Sequence, residues 1–183
     1  MAKVLLIVGS MRKGSFNRQM AKEIEKIIGD RAEVSYLEFS DIPYMNQDIE
    51  FPAPEAVARV RGEVQAADGI WICSPEYNAN IPGVLKNLLD WLSRPLVQGD
   101  FSSPSAVAGK PVTISGAAGK SAAGGVRSNL AGLLTMMRMT LIGGEGTGIA
   151  LDGEAFMTGN ATFSGESIEA LKAQADEFLK ALE

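Results

Sequence analysis

The chain contains no histidine and one cysteine, Cys73. The first absence excludes imidazole metal ligands and every nucleophile–histidine pair. The second excludes an internal disulfide and a metal cluster built from cysteines. Chemistry must therefore come from backbone groups, hydroxyls, carboxylates, guanidinium groups or a bound cofactor. Long apolar runs are also missing: nothing approaches the roughly 18 residues that cross a bilayer. The run Val4–Val8 behind Met1-Ala2-Lys3 is too short for a signal peptide, and Arg12 and Lys13 follow it closely. Positive charge is scarce, with 17 Lys and Arg against 22 Asp and Glu and a net charge of −5. That balance argues against nucleic-acid and anionic-membrane partners, so an anionic ligand would need a local positive patch. These features predict a cytoplasmic protein, and 183 residues predict a single domain over 1–183.

What is present is an alternation of short apolar runs with longer segments of helical period. Strands are expected at Val4–Val8, Ala32–Phe39, Gly69–Cys73, Pro111–Ser115 and Met139–Ile142. Helices are expected at Asn17–Ile28, Glu55–Ala67, Ile81–Leu92, Ala123–Met137 and Ser167–Leu182. The continuous apolar character of the first strand is that of a strand buried on both faces. Strand–helix alternation with right-handed crossovers predicts an α/β fold. The expected form is a flavodoxin-like, doubly wound, five-stranded parallel sheet in the order 2-1-3-4-5, with helices on both faces. The segment 42–54 must be ordered by something, because Ile42, Tyr44, Met45 and Phe51 are awkward in water. Gly143–Gly159, with glycines at 143, 144, 146, 148, 153 and 159, reads as a mobile surface excursion. Cys73 ends an apolar strand and reads as core.

In this topology ligands bind beyond the carboxyl ends of strands 1 and 3, where the winding reverses. Two unusual loops fall there. The first, Gly9-Ser10-Met11-Arg12-Lys13-Gly14-Ser15-Phe16-Asn17, leads into a helix whose unpaired N–H groups and positive dipole end suit a phosphate. Ser10 and Ser15 offer hydroxyls, Arg12 a guanidinium able to grip two oxygens, and Asn17 either a helix cap or a donor to the phosphate. The bland alternative is a serine-rich turn with a solvated arginine. The second loop, Ser74-Pro75-Glu76-Tyr77-Asn78-Ala79-Asn80-Ile81-Pro82-Gly83, is stiffened by two prolines. It reads as a rigid wall for a flat ring, with backbone groups aimed at the ring's polar edge. Tyr77 supplies an aromatic face and Asn78 orients the loop. Glu76 either accepts through its backbone or caps the following helix. Its own alternative is a stiff connection carrying an exposed tyrosine.

The pattern Gly9-Ser10-x-Arg12-x-x-Ser15-x-Asn17, followed by Ser74-Pro75-Glu76-Tyr77-Asn78-x-x-x-Pro82-Gly83-x-Leu85-Lys86-Asn87-x-x-Asp90-Trp91, resembles the NAD(P)H-dependent FMN reductase family. That family includes quinone, chromate and azo-compound reductases. The resemblance implies one FMN per chain, with NADPH or NADH as co-substrate and a small-molecule electron acceptor. It also implies a homodimer or homotetramer in which a neighbour helps to cover the flavin. Ser10, Arg12, Ser15 and Asn17 would hold the phosphate, and Pro75, Glu76, Tyr77 and Asn78 would flank the ring. Leu85, Lys86, Asn87, Asp90 and Trp91 would serve helix packing and capping. A third ligand loop is expected after the fourth strand, and from it Ser115 and Gly116 are carried over.

Two look-alikes fail on spacing. Gly119-Lys120-Ser121 lacks the P-loop's first glycine, since Ile114 occupies that position inside a strand. Gly144-x-Gly146-x-Gly148 places Ile149 where the dinucleotide fingerprint needs its last glycine. The function expected is hydride transfer from reduced nicotinamide to bound FMN, then on to a quinone, azo, metal-oxyanion or flavin acceptor, the flavin carrying the chemistry. Two other classes compete: a flavodoxin-type electron carrier without NAD(P)H turnover, and an interaction protein that kept the fold without the flavin. An arginine-bearing phosphate loop disfavours the first, and the intact loops disfavour the second.

Overall fold

A computed structural model describes residues 1–100 and 102–183. In chain order its elements are β1 (Lys3–Val8), α1 (Phe16–Ile28), β2 (Glu33–Tyr36), α2 (Glu55–Ala66), β3 (Gly69–Cys73) and α3 (Gly83–Leu92). There follow β4 (Pro111–Ala118), α4 (Gly124–Met136), β5 (Thr140–Leu141), β6 (Thr147–Ala150), α5 (Gly153–Thr158) and α6 (Gly165–Lys180). Every strand pairing is parallel and the order is β2-β1-β3-β4-β5, with β6 also on β4.

The period of two along each strand sorts its apolar side chains onto two faces. Leu5, Ile7, Ile70, Ile72, Val112 and Ile114 point to one core, which is filled by Val60 and Val64 of α2, Leu85, Leu88 and Leu92 of α3, and Val126, Leu130 and Leu134 of α4. Val4, Leu6, Val8, Trp71 and Cys73 point to the other, filled by Met20, Ala21, Ile24 and Ile28 of α1 and Leu171, Ala175 and Phe178 of α6. Both faces of β1 and β3 are covered, which is why these strands read as unbroken apolar runs. Cys73 is fully buried, and burial raises its thiol pKa well above the ordinary value, so it is core.

The awkward segment 42–54 is tied to α3 by two motif residues. Trp91 Nε1 and Asn87 Nδ2 both donate to the Pro43 carbonyl, at 2.8 and 3.0 Å, and Met45 N–H donates to Asn87 Oδ1 at 2.7 Å. Glu50 is buried against Arg94 in a two-pronged ion pair of 2.7 and 3.0 Å. Lys86 and Asp90 pair along α3 at 2.6 Å, one turn apart.

Gly143–Gly159 differs from the loop expected of it. The fifth strand position is shared: β5 pairs with Pro111 and Val112, the chain loops out, and β6 returns to pair with Ser115–Ala118. The Gln174 side chain of α6 fills the gap. Its Nε2 donates to the Ile114 carbonyl and to Thr113 Oγ1, both at 2.7 Å, while its Oε1 accepts from Ser115 Oγ at 2.9 Å and Thr147 N–H at 3.2 Å. Gly146 sits at φ +62°, and a Cβ there would run into the Ile114 carbonyl, so glycine lets the chain re-enter the sheet. A four-residue strand with glycine at its second position carries almost no pattern of its own. It forms because β4 offers it a ladder.

Candidate functional site

A cleft of about 340 Å3 opens at the carboxyl ends of β1, β3 and β4, within the roughly 300–1,000 Å3 usual for small-molecule sites. Ser10, Arg12, Ser15 and Asn17 line one side, and Pro75, Glu76 and Tyr77 line another. The two sequence-distant loops are thus walls of one cavity.

The first loop leaves β1 at Gly9, whose N–H donates to the Cys73 carbonyl at 2.9 Å. A Cβ at Gly9 would come within 3.0 Å of Leu85 Cδ2, so the loop starts where α3 passes close by. Arg12 O accepts from Ser15 N–H at 3.0 Å, closing the turn into α1. Ser15 occupies the capping position, yet its hydroxyl makes no capping bond. Ser15, Phe16 and Asn17 line the cleft at the start of α1, where the first N–H groups have no intrahelical acceptor, although that of Arg18 is taken by the Ser15 carbonyl. Arg12 has no carboxylate within ion-pair distance among the described residues; its guanidinium lies 4.7 Å above the ring centre of Phe16. Donors, a helix N-terminus and a cation without an acidic partner among the described residues give this end of the cleft the chemistry that suits an anion.

Asn17 neither caps α1 nor points a free amide at the cleft. Pairing between β3 and β4 ends at Cys73–Ser115. Beyond it the buried Asn17 side chain donates to the Ala117 carbonyl and accepts from the Ala117 N–H, both at 2.9 Å. The amide thus takes the place of a further β3 residue and locks α1 to the end of β4.

The second loop is a miniature hairpin. Tyr77 and Asn80 exchange backbone bonds of 3.2 and 3.0 Å, with Asn78 and Ala79 at φ 53° and 58° between them. Two successive left-handed residues define the turn that matches strand twist, at a cost of about 1–2 kcal/mol for the alanine. The hairpin is held from α4: Asn129 Nδ2 reaches the Ala79 carbonyl and Asn80 Oδ1, both at 3.3 Å. Glu76 docks onto the N-terminus of the same helix, its Oε2 accepting from Val126 N–H at 3.0 Å. The Ser121 hydroxyl, the Val126 and Gly125 N–H groups and the nearby Arg127 hold the Glu76 carboxyl below the usual carboxylate range, against a smaller opposing effect of burial. Glu76 therefore caps a helix, but α4 rather than the α3 that follows it in sequence. Tyr77 is half exposed at the mouth.

Three expected residues lie away from the cavity wall. Asn78 is at the exposed hairpin tip. Ser115 is wholly buried beneath the site, accepting from Trp71 Nε1 at 3.0 Å and donating to Gln174. At Gly116 a Cβ would meet that of Ala123 at 2.5 Å, so this glycine serves close passage of β4 under α4. The strand runs further than expected, to Ala118, and Ala117, Ala118 and Gly119 line the cleft instead. Phe16, Leu151, Phe156 and Gly159 complete the wall. Phe16 stood inside the first motif as a variable position. The other three lie in or beside the stretch read as a mobile excursion, where no local signal marked them.

Comparison with known proteins places the chain in a family. The model of the NADPH-dependent FMN reductase family matches residues 2–150. The chain belongs to that family. Among curated relatives of these reductases, the 2-hydroxy-1,4-benzoquinone reductase of a Burkholderia species is 36% identical over 117 residues, covering 63% of this chain and 64% of that protein. The quinone reductase of Escherichia coli K12 is 42% identical over 118 residues, covering 61% of this chain and 57% of its own length. The matched stretch thus spans less than two thirds of either relative. Among solved structures, FerB, a flavoenzyme NAD(P)H:(acceptor) oxidoreductase from Paracoccus denitrificans, superposes with a TM-score of 0.85 at 27% identity, covering 100% of this chain and 97% of that one.

Proposed function

We propose that this cleft holds FMN and that the chain is an NAD(P)H-dependent reductase passing electrons to a quinone-type small molecule. The observation that carries the reading is the convergence of an anion-receiving loop and a stiff aromatic-bearing loop on one cavity at the switch point of a doubly wound sheet. The residues present fit the cofactor: free donors and Arg12 at one end suit a phosphate, and Pro75 with Tyr77 suits a flat ring. The names of the quinone-reducing relatives and of FerB support the acceptor class.

Bound FMN would supply the two-electron chemistry, taking hydride from reduced nicotinamide and returning it to the acceptor. The chain's own residues then have limited tasks. Ser10, Arg12, Ser15 and the first turn of α1 anchor the phosphate, and Asn17 keeps that turn in register with β4. Pro75 and Tyr77 fix the ring plane, and Glu76 holds their loop against α4. Because its carboxyl is kept ionised by its donors, Glu76 is unsuited to give up a proton near neutral pH. Protons come from water. Exposed Met11, Tyr77, Phe156 and Met157 at or beside the mouth support a homodimer or homotetramer in which a second copy covers the site.

An anaerobic NADPH titration of FMN-loaded protein tests the reading. Bleaching of the visible flavin band at about one equivalent, reversed by a quinone, is expected of a two-electron reductase. Flavin that binds but is bleached by neither NADPH nor NADH would refute the reductase and favour an electron carrier.

A further inference from the structure

The wall of the cleft includes a part of the chain beyond the family match, which ends at residue 150. Its side chain facing the first loop is Phe156 of α5, which lines the cleft although 58% of it is exposed. Phe156 meets Phe16 edge to face, with centroids 5.4 Å apart and planes at 81°. Phe16 in turn carries the Arg12 guanidinium 4.7 Å above its ring. The three side chains form a continuous line from α5 to the cation of the anion-receiving loop.

The placement of α5 is itself controlled from α1. Asp152 caps it, accepting from Ala155 N–H at 2.9 Å, and Ala155 is buried beneath it. Gln19, one turn along α1 from Phe16, donates to the Gly159 carbonyl at 2.9 Å and accepts from Ala161 N–H at 2.8 Å. Phe156 is thus set over Phe16 by a specific clamp. Arg12, without an acidic partner among the described residues, is on a long flexible stem in an exposed loop. Its guanidinium lies over the face of Phe16, whose half-buried ring packs on the core of α1 and β1 and also meets Phe156 edge to face.

We propose that Phe156 is a positioning residue for Arg12, so that α5 sets how strongly this chain prefers a phosphorylated flavin over its unphosphorylated form. The inference rests on the FMN reading above. A residue that merely walled the cleft would act on both ligands alike, because riboflavin presents the same ring and side chain. A residue that acts through Arg12 affects only the ligand bearing the phosphate.

The test measures dissociation constants of FMN and riboflavin by quenching of flavin fluorescence, in wild type, Phe156→Ala, Phe156→Leu, Phe156→Tyr and Arg12→Ala. Phe156→Ala is expected to weaken FMN binding by about threefold to tenfold, the size of one aromatic or cation–π contact, and to leave riboflavin unchanged. Phe156→Leu should behave like the alanine variant, and Phe156→Tyr should restore the wild-type ratio. In the Arg12→Ala background, Phe156→Ala should have no further effect on FMN. Equal weakening of both flavins, an unchanged FMN constant, a leucine variant as good as wild type, or additivity with Arg12→Ala would each overturn the proposal. Exposure of Phe156 makes misfolding of its variants an unneeded worry, and an unchanged thermal midpoint checks this. A wild-type chain that binds neither flavin would instead refute the FMN reading, and the inference with it.

Discussion

Replacing Glu76 with glutamine keeps the length and one acceptor oxygen of the side chain while removing its charge and turning the second oxygen into an NH2 donor. In the wild type that charge faces the N-terminus of α4, where Val126 N–H lies 3.0 Å from Oε2 and the Ser121 hydroxyl and Gly125 N–H also donate. Losing a side-chain cap costs roughly 0.5–2 kcal/mol, and an anion at a helix N-terminus contributes about 0.3–1 kcal/mol. Since glutamine keeps one oxygen and the site is solvent-accessible, about 1 kcal/mol is expected for Glu76→Gln. For a domain of this size that lowers the thermal midpoint by about 2–4 °C. The pH dependence has a fixed sign. The folded-state pKa of Glu76 is depressed, so its contribution is complete above the unfolded carboxylate value and is lost as pH falls through the folded one. Urea unfolding of wild type and Glu76→Gln at neutral pH and again at acid pH should therefore show a gap that closes in acid. The gap should also shrink with salt, as exposed charge interactions do. A gap of the same size at both pH values would mean that shape rather than charge holds the loop. No gap at neutral pH would mean that Glu76 does not hold the loop at all.

Three further perturbations probe other parts of the argument. Arg12→Ala should weaken FMN by about tenfold to a hundredfold, the worth of a charge-assisted hydrogen bond, and flatten the salt dependence of binding; unchanged FMN affinity across a salt series would remove the phosphate assignment. Gln174→Leu leaves the Ile114 carbonyl and Thr147 N–H without their side-chain partner at the split edge of the sheet, and should cost about 3 kcal/mol in urea unfolding; a loss below about 1 kcal/mol would show that water or a backbone shift replaces it. Ala79→Gly relieves the left-handed alanine at φ 58° and should stabilise the fold by about 0.5–1 kcal/mol once glycine's extra chain entropy is counted; a destabilised variant would place the hairpin in another conformation in solution.

The parts of this molecule legible in its sequence are those whose signal is local. Val4–Val8 and Gly69–Cys73 announce buried parallel strands because both faces are covered and no polar residue interrupts them. The loops at 9–17 and 74–80 are legible because a turn into a helix and a proline-braced hairpin need particular residues at particular positions. Even there the roles were only half visible. Asn17 looked like a cap or a phosphate donor, and its amide instead completes the edge of β4, a hundred residues away. Glu76 reads as offering its backbone to a ring or its side chain to α3, and its carboxylate belongs to α4.

The remainder was illegible for one physical reason: its structure comes from a partner elsewhere in the chain. Thr147–Ala150 has no strand pattern, and becomes a strand because β4 overhangs β3 and offers Ser115–Ala118 as a template. Once it is in place, Leu151 and Ala155 are drawn under cover, and Phe156 is carried to the mouth of the cleft. A glycine-rich stretch that reads as slack is thus fixed at both ends, by Gln174 where it enters the sheet and by Gln19 where it leaves α5. Both glutamines are amides that bond backbone on one element while anchored in another, as Asn17 also does. In a chain without histidine and without a disulfide, side-chain amides bring distant segments to the site. An amide in a helix looks, in sequence, like any solvated residue. The motif residues of the two loops form facing walls of the cleft. The amides decide how the rest of the chain closes around it.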